Sequence, residues 1–193
     1  MYSIYLETEM STYYSARWFS AALILNPRNP DEILMMKYWR DRVTYPDQRD
    51  IKFPGGKEKR ENGRQDDSPL ITLLAEVKEE VLTPSADDLH HLVQNGTVRV
   101  VEIEGAQVHL PGHTKHFYLV IGLKADLREQ ELVEMEDDGR EEVLSPPFWM
   151  GVEDIAQKIF RGHGVALMHL CRACQDKSPA YERALRILES RRI

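Results

Sequence analysis

The hydrophobic positions of this chain fall into short blocks separated by turn-forming residues. ARWFSAALIL (16–25) is an aromatic and aliphatic run closed by NPRNPD, a pattern that predicts a buried strand. EILMMKYWR (32–40) follows as a second strand, and the short connection predicts a hairpin between the two. DIKFPGGK (50–57) reads as a short strand ending in a Pro-Gly-Gly turn, and a polar stretch over 58–67 leads into a helix. Asp67 or Ser68 can cap that helix, and Pro69 suits the first helical position because its missing N–H is not needed there. Leu70, Leu73, Leu74, Val77 and Val81 recur at spacings of three and four, which makes a core-facing stripe, and Thr83-Pro84 ends the helix.

Farther on, TVRVVEIEG (97–105) and KHFYLVIGL (115–123) are predicted strands joined by the loop AQVHLPGHT. Residues 126–147 read as an acidic loop with two prolines. FWMGVEDIAQKIF begins a second helix, and 178–192 forms a third. Strands and helices mix without regular alternation and without an internal repeat. The expected fold class is therefore α/β in the α+β sense, a mixed sheet covered by helices. It is expected to form one domain over 1–193, with a helical extension from about 164 to 193.

Composition narrows the function. A chain of 193 residues with 42% hydrophobic and 30% charged positions can bury a core, so global disorder is excluded. Its formal net charge of −7 argues against a general nucleic-acid scaffold, which needs a basic face. A small phosphorylated ligand stays open, because a bound cation reverses the local field. No apolar run approaches the roughly 20 residues that span a bilayer, and MYSIYLETEM lacks the order of a secretory signal. A cytoplasmic protein without a membrane partner is the expectation. Cys171 and Cys174 form a C-x-x-C inside a helical stretch, without the further ligands of a zinc site, and the spacing is read as chance.

The chemistry lies on the first helix. Glu76, Glu79 and Glu80 are related by spacings of three and four, so all three point the same way, roughly 120° around from the leucine stripe. Like charges so placed repel by about a few tenths of a kcal/mol per pair. Glu79 and Glu80 also fall in the last turn, where the helix dipole disfavours anions. Lys78 points elsewhere. A helix that only builds structure gains nothing from this arrangement, although E-x-x-E-E is also common on solvated faces. A site for Mg²⁺ or Mn²⁺ gains from it, because hard cations take several carboxylate oxygens.

With FPGGK upstream and AEVKEE on the helix, the chain resembles the Nudix hydrolase superfamily, whose box runs G-x5-E-x7-R-E-U-x-E-E-x-G-U. Pro54, Gly55, Gly56 and Lys57 match the turn before the box, and Asp67 stands where the box has its first glutamate. Glu76, Val77, Lys78, Glu79 and Glu80 match E-U-x-E-E position by position. Ten residues separate Gly56 from Asp67 where the box has five, Ala75 replaces the arginine, Leu82 the glycine and Thr83 the final aliphatic. The resemblance implies an α/β/α sandwich. It also implies metal-dependent hydrolysis of a pyrophosphate linkage in a nucleoside diphosphate derivative, a small-molecule substrate. Glu76, Glu79 and Glu80 would hold the metal with Gly55 contributing backbone, and Glu79 or Glu80 would take part in catalysis. Glu141 or Glu142, in EMEDDGREE, would serve as base or extra ligand. Many relatives form homodimers.

Lys57, Arg40 and Arg42 are candidates for phosphate contact, with Asp67 beside them in the loop. Tyr38, Trp39 and Tyr45 are candidates for stacking on a base, but Tyr38 and Trp39 must lie on opposite faces of a strand. His113 and His116 read as surface residues. Because Ala75 stands where relatives have an arginine that orders the turn, Arg60 and Arg64 are expected to supply the guanidinium. Two other classes compete with the enzyme: a Nudix-fold module that binds nucleotide without turnover, and an unrelated acidic interaction protein.

Overall fold

The strand Trp18–Ile24 (β1) is buried on both faces, and its alternate residues enter different cores. Ala21 and Leu23 pack into one cluster, Ala22 and Ile24 into the other. A side-chain period of two produces this division, and it places β1 in the middle layer of three. The computed structural model describes residues 16–40, 50–59, 66–86, 89–124, 126–135, 141–159 and 161–192.

The other described strands are Glu32–Arg40 (β2), Asp50–Lys52 (β3), Gly55–Lys57 (β4), Arg99–Glu102 (β5), Val108–Leu110 (β6), His113–Ile121 (β7), Leu132–Met135 (β8), Glu141–Leu144 (β9) and Phe148–Gly151 (β10). The helices are Pro69–Glu80 (α1), Leu89–Gln94 (α2), Val152–Lys158 (α3), Arg161–Cys174 (α4) and Pro179–Ser190 (α5). One sheet runs β4-β1-β7-β5 with β6 also on β7, and it is mixed because β1 and β7 are parallel. The other runs β10-β2-β9-β8 with β3 also on β2, all antiparallel.

One core cluster carries α1 and α2, through Leu73, Val77, Val81 and Leu89. The opposite cluster carries α3, α4 and α5, through Ile155, Leu167, Leu170, Tyr181 and Leu188. Helices on both sides of a sheet make the expected α+β sandwich, and the C-terminal helices share its core. Burying each such aliphatic side chain is worth about 1.5–3 kcal/mol. The docking of α1 therefore far outweighs the repulsion among its glutamates. No described helix is long and apolar enough to cross a membrane.

Several local expectations are corrected. β1 and β2 do not form a hairpin. They join different sheets, and the backbone pairing between them is confined to the connection, at the isolated bridge Leu25–Ile33 and the bond from Asn26 N to the Glu32 carbonyl. Strands buried on both faces carry no pattern that selects a partner, so a short connection misleads. The presumed loop before His113 contains β6, and the acidic stretch over 126–147 contains β8 and β9. Their charges sit on strands near the sheet edge, where polar residues are tolerated. Phe148–Gly151 is a strand paired with β2, so α3 begins only at Val152. Leu70, assigned to the buried stripe, is exposed, because it lies in the first turn at the rim of the core.

Candidate functional site

Helix α1 is built where the spacing placed it. Ser68, not Asp67, is the N-cap: its backbone is extended and its Oγ accepts from Ile71 N at 3.3 Å. The first turn is tied to β1 by Trp18 Nε1 donating to Thr72 Oγ1 at 2.8 Å and Ser20 Oγ donating to the Pro69 carbonyl at 2.7 Å. This fixes the helix against the strand that also pairs with β4, the Gly-Gly-Lys strand.

The three glutamates then separate in environment. Glu76 and Glu80 are only 4% and 3% exposed, whereas Glu79 faces solvent. Glu80 Oε2 accepts from Gly55 N at 2.6 Å, and its Oε1 lies 2.9 Å from Lys52 Nζ. Lys52 also donates to the Gly55 carbonyl at 3.2 Å and lies over the Tyr38 ring, 5.4 Å from its centre. Lys59 Nζ sits between the other two, 3.3 Å from Glu76 Oε1 and 2.9 Å from Glu79 Oε2. Buried carboxylates persist only when paired in this way.

The expected Pro-Gly-Gly turn leads directly into β4, and its two glycines are hemmed in for different reasons. Gly55 has φ +142° and a β-carbon there would overlap the Ser20 carbonyl. At Gly56 a β-carbon would enter the space of the Glu76 carboxylate. The turn is braced from below by His163, which is stacked on Phe53 at 5.6 Å and flanked by Phe117 and Phe19. Phe53 N points to His163 Nδ1 at 3.4 Å. Burial, and secondarily the Lys115 and Lys52 ammoniums, push the His163 pKa down to about 3, so the ring is neutral.

Glu142 on β9 accepts a hydrogen bond from Tyr38 Oη on β2. With Lys52 on both the Tyr38 ring and Glu80, Glu142 is linked to Glu80 through one chain of polar contacts. Trp39, as alternation requires, is buried on the other face of β2. Arg40 pairs across to Glu142 in the backbone register, but its side chain lies outside the described set, as do Arg42, Tyr45, Arg60, Arg64 and the Glu141 side chain. Lys57 is exposed at the end of β4. His116 is bonded to Glu102 at 2.9 Å. Cys171 and Cys174 are free thiols on α4, and burial pushes Cys171 up to about 12.

Spacing missed several residues. Asp67 is exposed, whereas its neighbour Asp66 is buried and closes the loop. Asp66 Oδ2 accepts from Lys59 N at 3.0 Å and from Thr72 Oγ1 at 2.9 Å, and Asp66 N donates to the Lys59 carbonyl at 3.1 Å. Glu58, expected in an exposed polar stretch, is buried and accepts from Arg17 N at 2.9 Å and Arg17 Nη2 at 2.6 Å. Lys52 and Lys59 gave no signal in the sequence beyond their charge.

Among the described residues no three His, Cys, Asp or Glu side chains converge closely enough to hold a metal alone. Two do share a cation position: Glu76 and Glu79 both reach the Lys59 ammonium, which stands in for one. Mg²⁺ is commonly bound by one or two carboxylates, completed by water and phosphate. The donor set fits a single hard cation on Glu76 and Glu79, with Glu80 fixed beside it by Gly55 N.

No protein-family model and no curated protein matches the chain. Solved structures do. The chain is similar to the E. coli ORF135 protein at 18% identity and TM-score 0.47, covering 86% of this chain and 96% of that one. It is similar to a NUDIX-family hydrolase from Clostridium perfringens at 12% identity and TM-score 0.44, covering 86% and 100%. It is similar to a UDP-X diphosphatase at 16% identity and TM-score 0.38, covering 75% of this chain, and it spans only 55% of that protein's length. At these identities and TM-scores the likeness carries no functional inference, which rests on the chain's own residues.

Proposed function

We propose that this chain is a Nudix-type hydrolase that uses Mg²⁺ or Mn²⁺ to cut the pyrophosphate linkage of a nucleoside diphosphate derivative. The observation that carries the reading is the shared cation position of Glu76 and Glu79, set against the glycine turn that fixes Glu80.

A divalent ion bound there neutralises phosphate charge and polarises the phosphorus under attack. The chain's residues supply the rest. Glu76 and Glu79 hold the cation, and Glu80, anchored by Gly55 N and Lys52, accepts hydrogen bonds from water at the site. Gly55 and Gly56 let the β4 backbone approach the Ser20 carbonyl and the Glu76 carboxylate closely, which holds the site's strand and helix together. Lys57, exposed at the mouth of the turn, meets phosphate oxygen. Glu142 is oriented by Tyr38 and takes the proton of the attacking water. Asp67 lies too exposed to hold the turn, and that task falls to Asp66.

The test is a panel of nucleoside diphosphate derivatives incubated with Mg²⁺ and with Mn²⁺, following release of nucleoside monophosphate. Cation-dependent release from at least one member is expected. Tight binding of a panel member with no product under either cation would make the chain a binding module.

A further inference from the structure

The site is assembled from two halves that belong to different sheets. Helix α1 and the glycine turn pack on the mixed sheet, while Tyr38 and Glu142 lie on the antiparallel one. Something must hold the last turn of α1 in register with β2 and β9. Lys52 does so through a side-chain ion pair with Glu80. A second link lies at the carbonyl end of the helix.

Arg128 follows β7 in a segment that pairs with the residues after α1, through Thr83 N to the Asp126 carbonyl at 3.1 Å and the bridge Leu82–Leu127. Its own N donates to the Val81 carbonyl at 2.8 Å, and its Nε donates to the Glu80 carbonyl at 3.0 Å. The same guanidinium donates through Nη2 to the Ser145 carbonyl at 3.2 Å, and through Nη1 to the Gln130 carbonyl. Ser145 is locked onto β2 by two bonds with Lys37, the residue before Tyr38. Three residues before Ser145 is Glu142.

We propose that Arg128 is a positioning residue that sets Glu79 and Glu80 relative to Tyr38 and Glu142. The inference rests on the functional reading above. A guanidinium suits the task because its donors are fixed in one plane and can reach several carbonyls at once, which an ammonium cannot do. Its charge also lies at the carbonyl end of a helix, where it offsets the unfavourable placement of two glutamates in the last turn. Arg128 borders an open cleft of about 630 Å³, with Thr83, Asp126 and Pro147 on its walls. A shorter side chain therefore leaves room for water and does not overpack a core.

The experiment compares wild type, Arg128→Gln and Arg128→Lys, measuring Mn²⁺ affinity without substrate by electron paramagnetic resonance, then kcat and KM well below each Tm. Arg128→Gln is expected to bind Mn²⁺ several-fold more weakly and to lose kcat with little change in KM. Arg128→Lys is expected to fall between it and wild type. A lowered Tm with unchanged Mn²⁺ affinity and kcat would make Arg128 a structural cap only and overturn the inference. If Arg128→Gln does not fold, Arg128→Lys decides: affinity and kcat equal to wild type overturn it. A wild-type protein that binds no Mn²⁺ overturns the functional reading, and this inference with it.

Discussion

Gly56 and Glu76 occupy complementary space: the volume that a β-carbon at Gly56 would take is filled by the Glu76 carboxylate. The atoms that would be displaced are the far end of a flexible side chain, not backbone. Gly56→Ala is therefore expected to leave the fold intact and move one carboxylate. Turnover should drop about tenfold or more, equivalent to about 1.4 kcal/mol or more of transition-state stabilisation, with Tm changed by only a few degrees. Gly55→Ala should instead destabilise the protein, since its φ of +142° and its contact with the Ser20 carbonyl admit no side chain. Parallel activity and thermal-melt measurements separate the two, and equal effects would contradict the geometry.

Lys59 holds both Glu76 and Glu79, so a divalent ion at the proposed site would compete with it. The ammonium is partly exposed, so its hold is worth about 1 kcal/mol or less. Competition of that size raises the apparent Kd of the divalent ion by up to about fivefold. Lys59→Met is expected to bind Mn²⁺ tighter by about that factor in calorimetry. Weaker binding would show that Lys59 supports the cation and does not oppose it.

Asp66 and Asp67 are adjacent in sequence but differ in burden. Asp66→Ala removes the buried acceptor of Lys59 N and leaves Thr72 Oγ1 only the longer bond to the Ser68 carbonyl at 3.4 Å, at a cost of about 1–3 kcal/mol. Asp67→Ala, on an exposed residue, should change stability by less than about 0.5 kcal/mol. Urea denaturation of the two variants checks this, and the reverse order would return the anchoring role to Asp67.

His163 makes stability depend on pH. Folded, it stays neutral down to about 3, while the unfolded chain takes up the proton below its ordinary value of 6.5. The unfolded state thus binds more protons in that window, and stability falls as pH drops from about 6.5 towards 3, by roughly 1.4 kcal/mol per unit. His163→Leu removes this slope. Between pH 6.5 and 4.5 the wild type should lose about 2–3 kcal/mol more than the variant. Identical losses in urea melts would mean that the folded protein admits the proton.

Much of this was legible because two periodicities were strong. The spacing of Leu73, Leu74, Val77 and Val81 located α1, and the same turn geometry put Glu76, Glu79 and Glu80 on one face. The β1 and β2 blocks were legible as strands but not as partners, since Ala21 to Ile24 are apolar on both faces. The acidic strands β8 and β9 were hidden by charge, and β10 by its direct continuation into α3. Lys52, Lys59 and Arg128 act across separations that no local pattern encodes: Arg128 reaches Glu80 from 48 positions away. Ala75, where the Nudix box has arginine, left a question that Arg60 and Arg64 were expected to answer. Both lie outside the described residues; among the described ones, Arg128 brings a guanidinium to the end of α1, at the Glu80 carbonyl.

The most direct measurement is turnover of the best panel substrate as a function of Mg²⁺ for wild type, Glu79→Gln and Glu80→Gln. Each substitution keeps shape and removes charge. Wild type should be inactive without the cation and rise to saturation. Both variants should fold normally, judged by circular dichroism, and lose about 100-fold or more, equivalent to about 2.7 kcal/mol, even at saturating Mg²⁺. Wild-type turnover in either variant, or wild-type turnover indifferent to chelator, would contradict a hydrolase whose cation rests on the α1 glutamates.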